Sequence, residues 1–467
     1  MRLNFRKVYF CTGARNHDLL GLLEGFDLAF EYDERMASFK ALGLCKVSEL
    51  PVAVCTTSGT AVAECIPALL EAKFSKLPLV LISGDRPKKL HHTGSPQTID
   101  HEALTAGARG SYVEVDLSKL AELSLEGLAF PVHINVLVDD TTAHELDTAH
   151  TSDLSDFEEF LRGSRRPLFL FSHENFSMRP LIEEVRRLGV PFYAESLSGG
   201  RDLSSIRTEK KLVELFNRGE FDSVVRIGHT PLSKIWRLLE KKCLPAFHFD
   251  SRKLAALSYG KVSTYSSRDL HQSAAWWEML RSRTWEPISD DTEGLLAELC
   301  ARYPEAEVSL MRALHDRLPE QGFVYLGNSL VIRNFELVQR KNFIVHGNRG
   351  VNGIDGQLAT AIGLAQGSKT PVTCILGDIT TLYDLSSLRE MPENLRLVIL
   401  NNKGGRIFDL LRLDKRIVLE HGVEFGSICR GFNLTYGEEL SDFGKVRVLE
   451  LFPSIPQSEA LLKDWQR

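Results

Sequence analysis

The sequence predicts an α/β protein of doubly wound parallel sheets, and three observations lead there. Short apolar, β-rich runs alternate with helix-length segments along the whole chain, the pattern of βαβ units. The runs break off in loops of Gly, Asp, Asn, Ser and Thr, as at Gly377–Asp378 and Asn401–Gly405, where ligands of parallel sheets bind. The 467 residues suffice for roughly two to four domains, each burying its own core.

Composition narrows the function. A 43% hydrophobic and 25% charged chain is ordinary for a soluble protein. A net charge of −6 without a basic run argues against nucleic-acid binding. No apolar stretch reaches the roughly 18 residues of a membrane span, and the start carries no signal-peptide pattern. The eight cysteines show no CxxC pairing and read as buried thiols in a reducing cytoplasm.

In chain order, a strand over 7–11 leads through Thr12, Gly13, Ala14, Arg15 and Asn16 into helical spacing at Leu19, Leu20, Leu22 and Leu23. Arg15 on that loop could hold a carboxylate by a two-pronged hydrogen bond, or be a surface arginine. A strand over 28–32 is followed by Asp33, Glu34 and Arg35, then by a helix of small and apolar residues. A carboxylate there is costly unless Arg35 pairs it, the helix uses it as a cap, or chemistry needs it. The strand over 51–55 closes in Thr56, Thr57, Ser58, Gly59 and Thr60, a hydroxyl-rich helix start able to cap the helix 61–72 and to donate to a ligand. A strand over 77–82 precedes Ser83 to Pro87 and the segment Ser95 to Ile99. His91 and His92 have no third ligand at a suitable spacing and read as loop residues. The strand 131–138 closes the first domain, 1–140, and the polar stretch 139–153 reads as a linker.

Strands over 168–171, 190–194, 223–227 and 246–250 form a second domain, 153–287, without a GxGxxG loop and so without an evident dinucleotide site. Its functional candidate is the run Gly228, His229, Thr230, Pro231, Leu232, Ser233, Lys234, while Trp276 and Trp277 read as packing residues. After a second linker, 287–293, the third domain, 294–467, brings a helix over 308–318 and strands over 322–326 and 342–345. These strands end in Gly327–Arg333 and in the glycine-dense loop His346–Gly356.

The stretch around which the chain is organised follows. Val372 to Leu376 ends at Gly377 and Asp378, and Leu397 to Leu400 ends at Asn401, Asn402, Lys403, Gly404 and Gly405. Parallel strands place these ends side by side, so one carboxylate (Asp378), one amide (Asn402) and a backbone carbonyl near Gly404 can meet a magnesium-type cation. Such a cation keeps positions for phosphate oxygens and water. The plain alternative is a turn at Gly377–Asp378 and a loop cap at the asparagines.

GDITTLYDLSSL followed by NNKGGRIF resembles the diphosphate-binding signature of thiamine diphosphate enzymes, in particular the 2-succinyl-5-enolpyruvyl-6-hydroxy-3-cyclohexene-1-carboxylate synthases of menaquinone biosynthesis. The TSGTA segment, DRP at 85–87, SPQTI at 95–99, GNSLVIR at 327–333 and GNRGVNGIDG at 347–356 are similar to the same family, in order and over nearly the whole chain. The resemblance implies three doubly wound α/β domains: pyrimidine-binding, central and diphosphate-binding. It implies thiamine diphosphate held with Mg2+ or Mn2+ at Asp378, Asn402 and Gly404, and Glu34 bonded to the aminopyrimidine ring. Ser58, Gly59, Ser329, Ile354, Gly377, Ile379, Ile407 and Phe408 would surround the cofactor. Arg15, Arg86, Gln97, Arg333, Arg349 and Lys234 would face the substrates.

The implied reaction is decarboxylation of 2-oxoglutarate and 1,4-addition of the resulting succinyl-semialdehyde carbanion to isochorismate, in a cytoplasmic homodimer or homotetramer. Departures from the family are Ala14 for a serine, Ile235 for an arginine and a shorter region after Phe408. They keep two alternatives open: another thiamine diphosphate-dependent 2-oxo acid decarboxylase or carboligase, and a catalytically degenerate cofactor-binding homologue.

Overall fold

The computed structural model describes residues 3–466 except 49, 139–147, 152, 175, 233–234, 243, 251–259, 264–269, 271–273, 369 and 411–412. Three six-stranded sheets make up the fold. The first contains β1 (Val8–Cys11), β2 (Leu28–Glu31), β3 (Val52–Thr56), β4 (Leu79–Asp85), β5 (Ser111–Asp116) and β6 (Val132–Leu137), in the order β2-β1-β3-β4-β6-β5. The second contains β7 (Thr148–Thr151), β8 (Pro167–Phe171), β9 (Phe192–Ala194), β10 (Ser223–Ile227), β11 (Ala246–Phe249) and β12 (Gly260–Ser263), in the order β7-β12-β11-β10-β8-β9. The third contains β13 (Phe323–Leu326), β14 (Ile344–His346), β15 (Val372–Gly377), β16 (Leu395–Leu400), β17 (Tyr436–Gly437) and β18 (Val448–Leu451), in the order β14-β13-β15-β16-β18-β17.

Strand pairings among the described residues are parallel in all three sheets. Central strands such as β3, β4 and β8 are buried along their whole length, which is why they read as unbroken apolar runs. Each sheet also has a strand, β1, β8 or β13, from which the chain turns first to one side and then to the other. The carboxyl edge beside it is the switch point where ligands of such sheets bind.

The chain divides into two compact units. The first comprises Met1–Thr141, Asn348–Asp355 and Lys403–Val423, and therefore holds the first sheet; the second comprises the remainder and holds the other two. Within the second unit Glu336 is buried and fully engaged. Ser196 donates to it from both its backbone N–H and its hydroxyl at 2.6 Å, Tyr193 from its hydroxyl at 3.2 Å, and the Arg201 guanidinium lies at 3.1 Å.

Several elements differ from the sequence reading. The stretch read as a linker ends in a strand, β7, which its threonine-rich, polar sequence conceals at a sheet edge. The helix expected over 61–72 is two helices, Thr60–Glu64 and Ile66–Ser75, because Pro67 cannot supply an N–H to a continuous helix. Gly84 and Asp85 continue β4 instead of opening a loop. Strand β5 went unrecognised because its residues are only half-buried and include Glu114 and Asp116. Seven cysteines are free and buried, and Cys243 lies outside the described residues.

Candidate cofactor and metal site

In the third sheet β15 and β16 run in register to their last residues, Gly377 opposite Leu400, so the residues that follow leave the sheet side by side. Asp378 opens the helix Asp378–Tyr383, is buried, and accepts a hydrogen bond from the Ile379 N–H at 2.7 Å. Asn402 is buried and donates through Nδ2 to Glu307 Oε2 at 2.9 Å. That bond fixes the amide: its nitrogen end is committed, and its oxygen is the end that can ligate a cation. The neighbouring Asn401 donates to Glu450, which Tyr436 also meets from its hydroxyl. Burial raises the Glu450 carboxyl above its ordinary range.

Glu307 is the residue that sequence reasoning missed. It opens the helix Glu307–Arg317, where an acid in the first turn looks like an ordinary helix-dipole partner. Its second amide donor is Asn334 Nδ2, at 2.8 Å. Burial pushes its carboxyl up from 4.5 to about 7, with a contribution from the charge of Asp378, against the two amide hydrogen bonds. Hard oxygen donors around a buried negative centre suit Mg2+ or Mn2+, which need few protein ligands and complete their shell with phosphate and water.

On the same edge Gly327 donates its N–H to the Ile375 carbonyl at 2.9 Å, and a Cβ there would stand 2.8 Å from the Leu376 side chain. Ser329 then adopts φ +69° ahead of the helix Leu330–Val338. Arg333, exposed one turn further on, donates to the Ser329 carbonyl.

In the first unit Glu34 opens the helix Glu34–Cys45 directly after β2 and is buried, with 7% of its surface exposed. The charge of Glu34 adds to burial in raising the thiols of Cys11 and Cys65. Ser58 is buried, and Gly59 takes φ +86°, the left-handed region open to glycine. The hydroxyls of this loop do not cap the following helix as expected; Thr60 instead donates to Asp355 Oδ1 at 2.7 Å.

The Gly59 N–H donates to His101 Nε2 at 3.1 Å, so the proton of that ring sits on Nδ1, facing Asn135 Oδ1 at 2.9 Å and Asp85 Oδ2 at 3.2 Å. Burial raises the Asp85 carboxyl, but hydrogen bonds from His101, His91 and Asn135 outweigh it and hold the group well below the usual range. His91 is thus a partner of Asp85, at 3.3 Å, not a bare loop residue. Nothing in the local sequence pattern announces His101, because its partners Asp85, Asn135 and Gly59 are 16, 34 and 42 positions away.

Of the remaining candidates, Gln97 lies beside Gly59. Arg86 is buried and donates through Nε to the Pro96 carbonyl at 3.0 Å, and the next residue, Gln97, has φ +58°. Gln97 Cβ lies 3.5 Å from where a Cβ on Gly59 would stand, and Val351 lies 3.1 Å from it. The Arg15 carbonyl is 2.9 Å from a Cβ placed on Gly84, which requires glycine there and brings the half-buried Arg15 to the end of β4. Arg349 and Ile354 are half-buried in 348–355. Gly404 has φ +141°, with the Val418 carbonyl 2.8 Å from where its Cβ would be. Ile407 is half-buried, and Phe408 packs on the core of the first sheet. Lys234 lies outside the described residues, and Ile235 is fully buried.

The family described as thiamine pyrophosphate enzyme, N-terminal TPP binding domain, matches residues 2–104. The chain is 29% identical to a 2-succinyl-5-enolpyruvyl-6-hydroxy-3-cyclohexene-1-carboxylate synthase of Bdellovibrio bacteriovorus, covering 98% of this chain and 95% of that one. It is 29% identical to the synthase of the same name from Shewanella halifaxensis (95% and 89% covered) and 28% identical to that of Bacillus velezensis (86% and 80%). A benzoylformate decarboxylase from Polynucleobacter necessarius aligns over 96% of this chain and 95% of its own at 15% identity and TM-score 0.46, a likeness too distant to inform function. Over residues 2–104 the chain thus carries the N-terminal TPP binding domain of thiamine pyrophosphate enzymes, and over nearly its whole length it is similar to the 2-succinyl-5-enolpyruvyl-6-hydroxy-3-cyclohexene-1-carboxylate synthases.

Proposed function

We propose that the chain decarboxylates 2-oxoglutarate and adds the succinyl-semialdehyde carbanion to isochorismate by 1,4-addition, forming 2-succinyl-5-enolpyruvyl-6-hydroxy-3-cyclohexene-1-carboxylate. The observation that carries this reading is the extent of the likeness: relatives bearing that synthase name align over 98% and 95% of this chain. Thiamine diphosphate, when bound, supplies the electron sink for loss of carbon dioxide from a 2-oxo acid.

The chain's own residues do the rest. Asp378, the Asn402 oxygen and the Gly404 carbonyl hold Mg2+ or Mn2+, with Glu307 fixing the Asn402 amide. Ser58, Gly59, Ser329, Ile354, Gly377, Ile379, Ile407 and Phe408 line the cofactor. Glu34 holds and returns a proton at the aminopyrimidine nitrogen. Arg15, Arg86, Gln97, Arg333, Arg349 and Lys234 orient the carboxylates of the two dicarboxylate substrates, a local positive field on a chain of net charge −6.

The three sequence domains act as pyrimidine-binding, central and diphosphate-binding parts, in a cytoplasmic homodimer or homotetramer whose cofactor lies between the first domain of one subunit and the third of another. No helix among the described residues is long and apolar enough to cross a membrane.

Ile235, fully buried where the family's arginine stands, favours a second reading: a thiamine diphosphate-dependent decarboxylase or carboligase with another acceptor. One assay separates the two. Carbon dioxide release from 2-oxoglutarate and from pyruvate is followed with and without isochorismate. The synthase reading expects 2-oxoglutarate to be preferred and a product that requires isochorismate. Equal use of pyruvate, or no isochorismate-dependent product, supports the second reading instead.

A further inference from the structure

The central sheet has no evident dinucleotide site, yet its switch point holds a cluster of metal-ligating side chains that includes His229 of the candidate run 228–234. β8 leads to β9 on one side and β10 lies on the other, so the crevice at their carboxyl ends is where an open parallel sheet takes a ligand. Glu174 lies three residues beyond β8, His229 two beyond β10, and Asp250 immediately beyond β11. One ligand atom from each lies within 4.8 Å of the other two.

The backbone is shaped to bring them together. The Gly228 N–H donates to the Phe249 carbonyl at 2.8 Å, and the His229 N–H to the His173 carbonyl at 2.8 Å. Gly228 has φ +102°, and a Cβ there would stand 2.7 Å from the His173 carbonyl, so only glycine lets the loop after β10 lie against the loop that carries Glu174. His248 Nε2 bonds the Gly228 carbonyl at 2.8 Å, and the His173 ring meets the His229 ring edge-on at 5.0 Å between centroids.

Glu174 is 4% exposed and Asp250 1%, so two carboxylates share an interior site, an arrangement that favours a bound cation. We propose that Glu174, His229 and Asp250 bind a divalent first-row transition ion, Mn2+ or Zn2+, that ties the carboxyl ends of β8, β10 and β11. The imidazole selects such an ion over Mg2+ or Ca2+. Bonds of about 2.1 Å place neighbouring ligand atoms about 3 Å apart, so atoms already within 4.8 Å of one another need draw in by less than about 2 Å to hold an ion. The proposal is independent of the reaction catalysed.

The test uses the full chain, stripped with a chelator and kept free of thiamine diphosphate, with Asp378→Ala removing the other cation site. Mn2+ or Zn2+ alone is titrated by calorimetry and counted by elemental analysis. One ion per chain is expected, and none after adding His229→Gln or, should that variant misfold, Glu174→Gln. Pulsed electron paramagnetic resonance of Mn2+ on the otherwise unaltered chain gives a second readout: an imidazole nitrogen should couple to the ion, because the Asp378 site offers only oxygen. No ion in the Asp378→Ala protein, an ion retained by the folded His229 or Glu174 variant, or bound Mn2+ without nitrogen coupling overturns the proposal.

Discussion

Glu336 and Glu307 are buried glutamates of the same unit, and they differ in what meets them. Glu336 has the Arg201 guanidinium at 3.1 Å and hydroxyl and backbone donors besides. Glu307 has two amides, and the charge that acts on it among the described residues is that of another carboxylate, Asp378. A buried acid with its own cation is complete and joins elements of the fold. A buried acid kept beside a second acid is arranged for a cation that comes from outside. Glu34 is buried beside the thiols of Cys11 and Cys65, which its charge helps to raise.

The comparison can be broken at either end. The largest effect is expected from Asp378→Ala, which should abolish metal-dependent binding of thiamine diphosphate while leaving the fold intact. Calorimetry giving the affinity of the unaltered chain would remove Asp378 from the cation site. Arg201→Ala strands the Glu336 charge and should cost about 3–5 kcal/mol of stability, read by denaturant unfolding. A loss below about 1 kcal/mol, the size of an exposed pair, would make that ion pair incidental.

Glu34→Gln should keep the cofactor yet lower turnover by a factor on the order of 10², the size of lost proton-transfer help. Unchanged turnover would place Glu34 outside the chemistry. The smallest effect is a slope. With its carboxyl raised from 4.5 to about 7, Glu307 binds more proton in the folded than in the unfolded chain between those values. The cofactor-free protein should therefore lose stability as pH rises from about 5 to about 7, and Glu307→Gln should flatten that fall. An equally steep fall in the variant would assign the slope to another group.

The fold was legible where burial makes the sequence unambiguous. Strands β3, β8 and β15 are predominantly apolar runs and are legible nearly to the residue. The edge strands β7 and β5 were not, because a polar or half-buried edge carries no such run. The same holds at the candidate site. Asp378 and Asn402 stand out because each follows a strand end within one short stretch, and the register of Gly377 with Leu400 brings those ends together. Glu307 and His101 were invisible because their meaning lies in partners far along the chain: Asn402 is 95 positions from Glu307. Periodicity reports which face of an element is buried; it does not report which buried polar groups meet.

The account rests on the Asp378–Glu307 centre being completed by a cation that arrives with the cofactor. The direct measurement is calorimetric titration of thiamine diphosphate into the unaltered protein at pH 7, with Mg2+ or with chelator, in buffers of different ionisation heat. The expected result is binding that requires Mg2+ and a heat that varies with the buffer, because the incoming cation drives the proton off Glu307. Binding of equal strength in chelator, with no proton released, would contradict it.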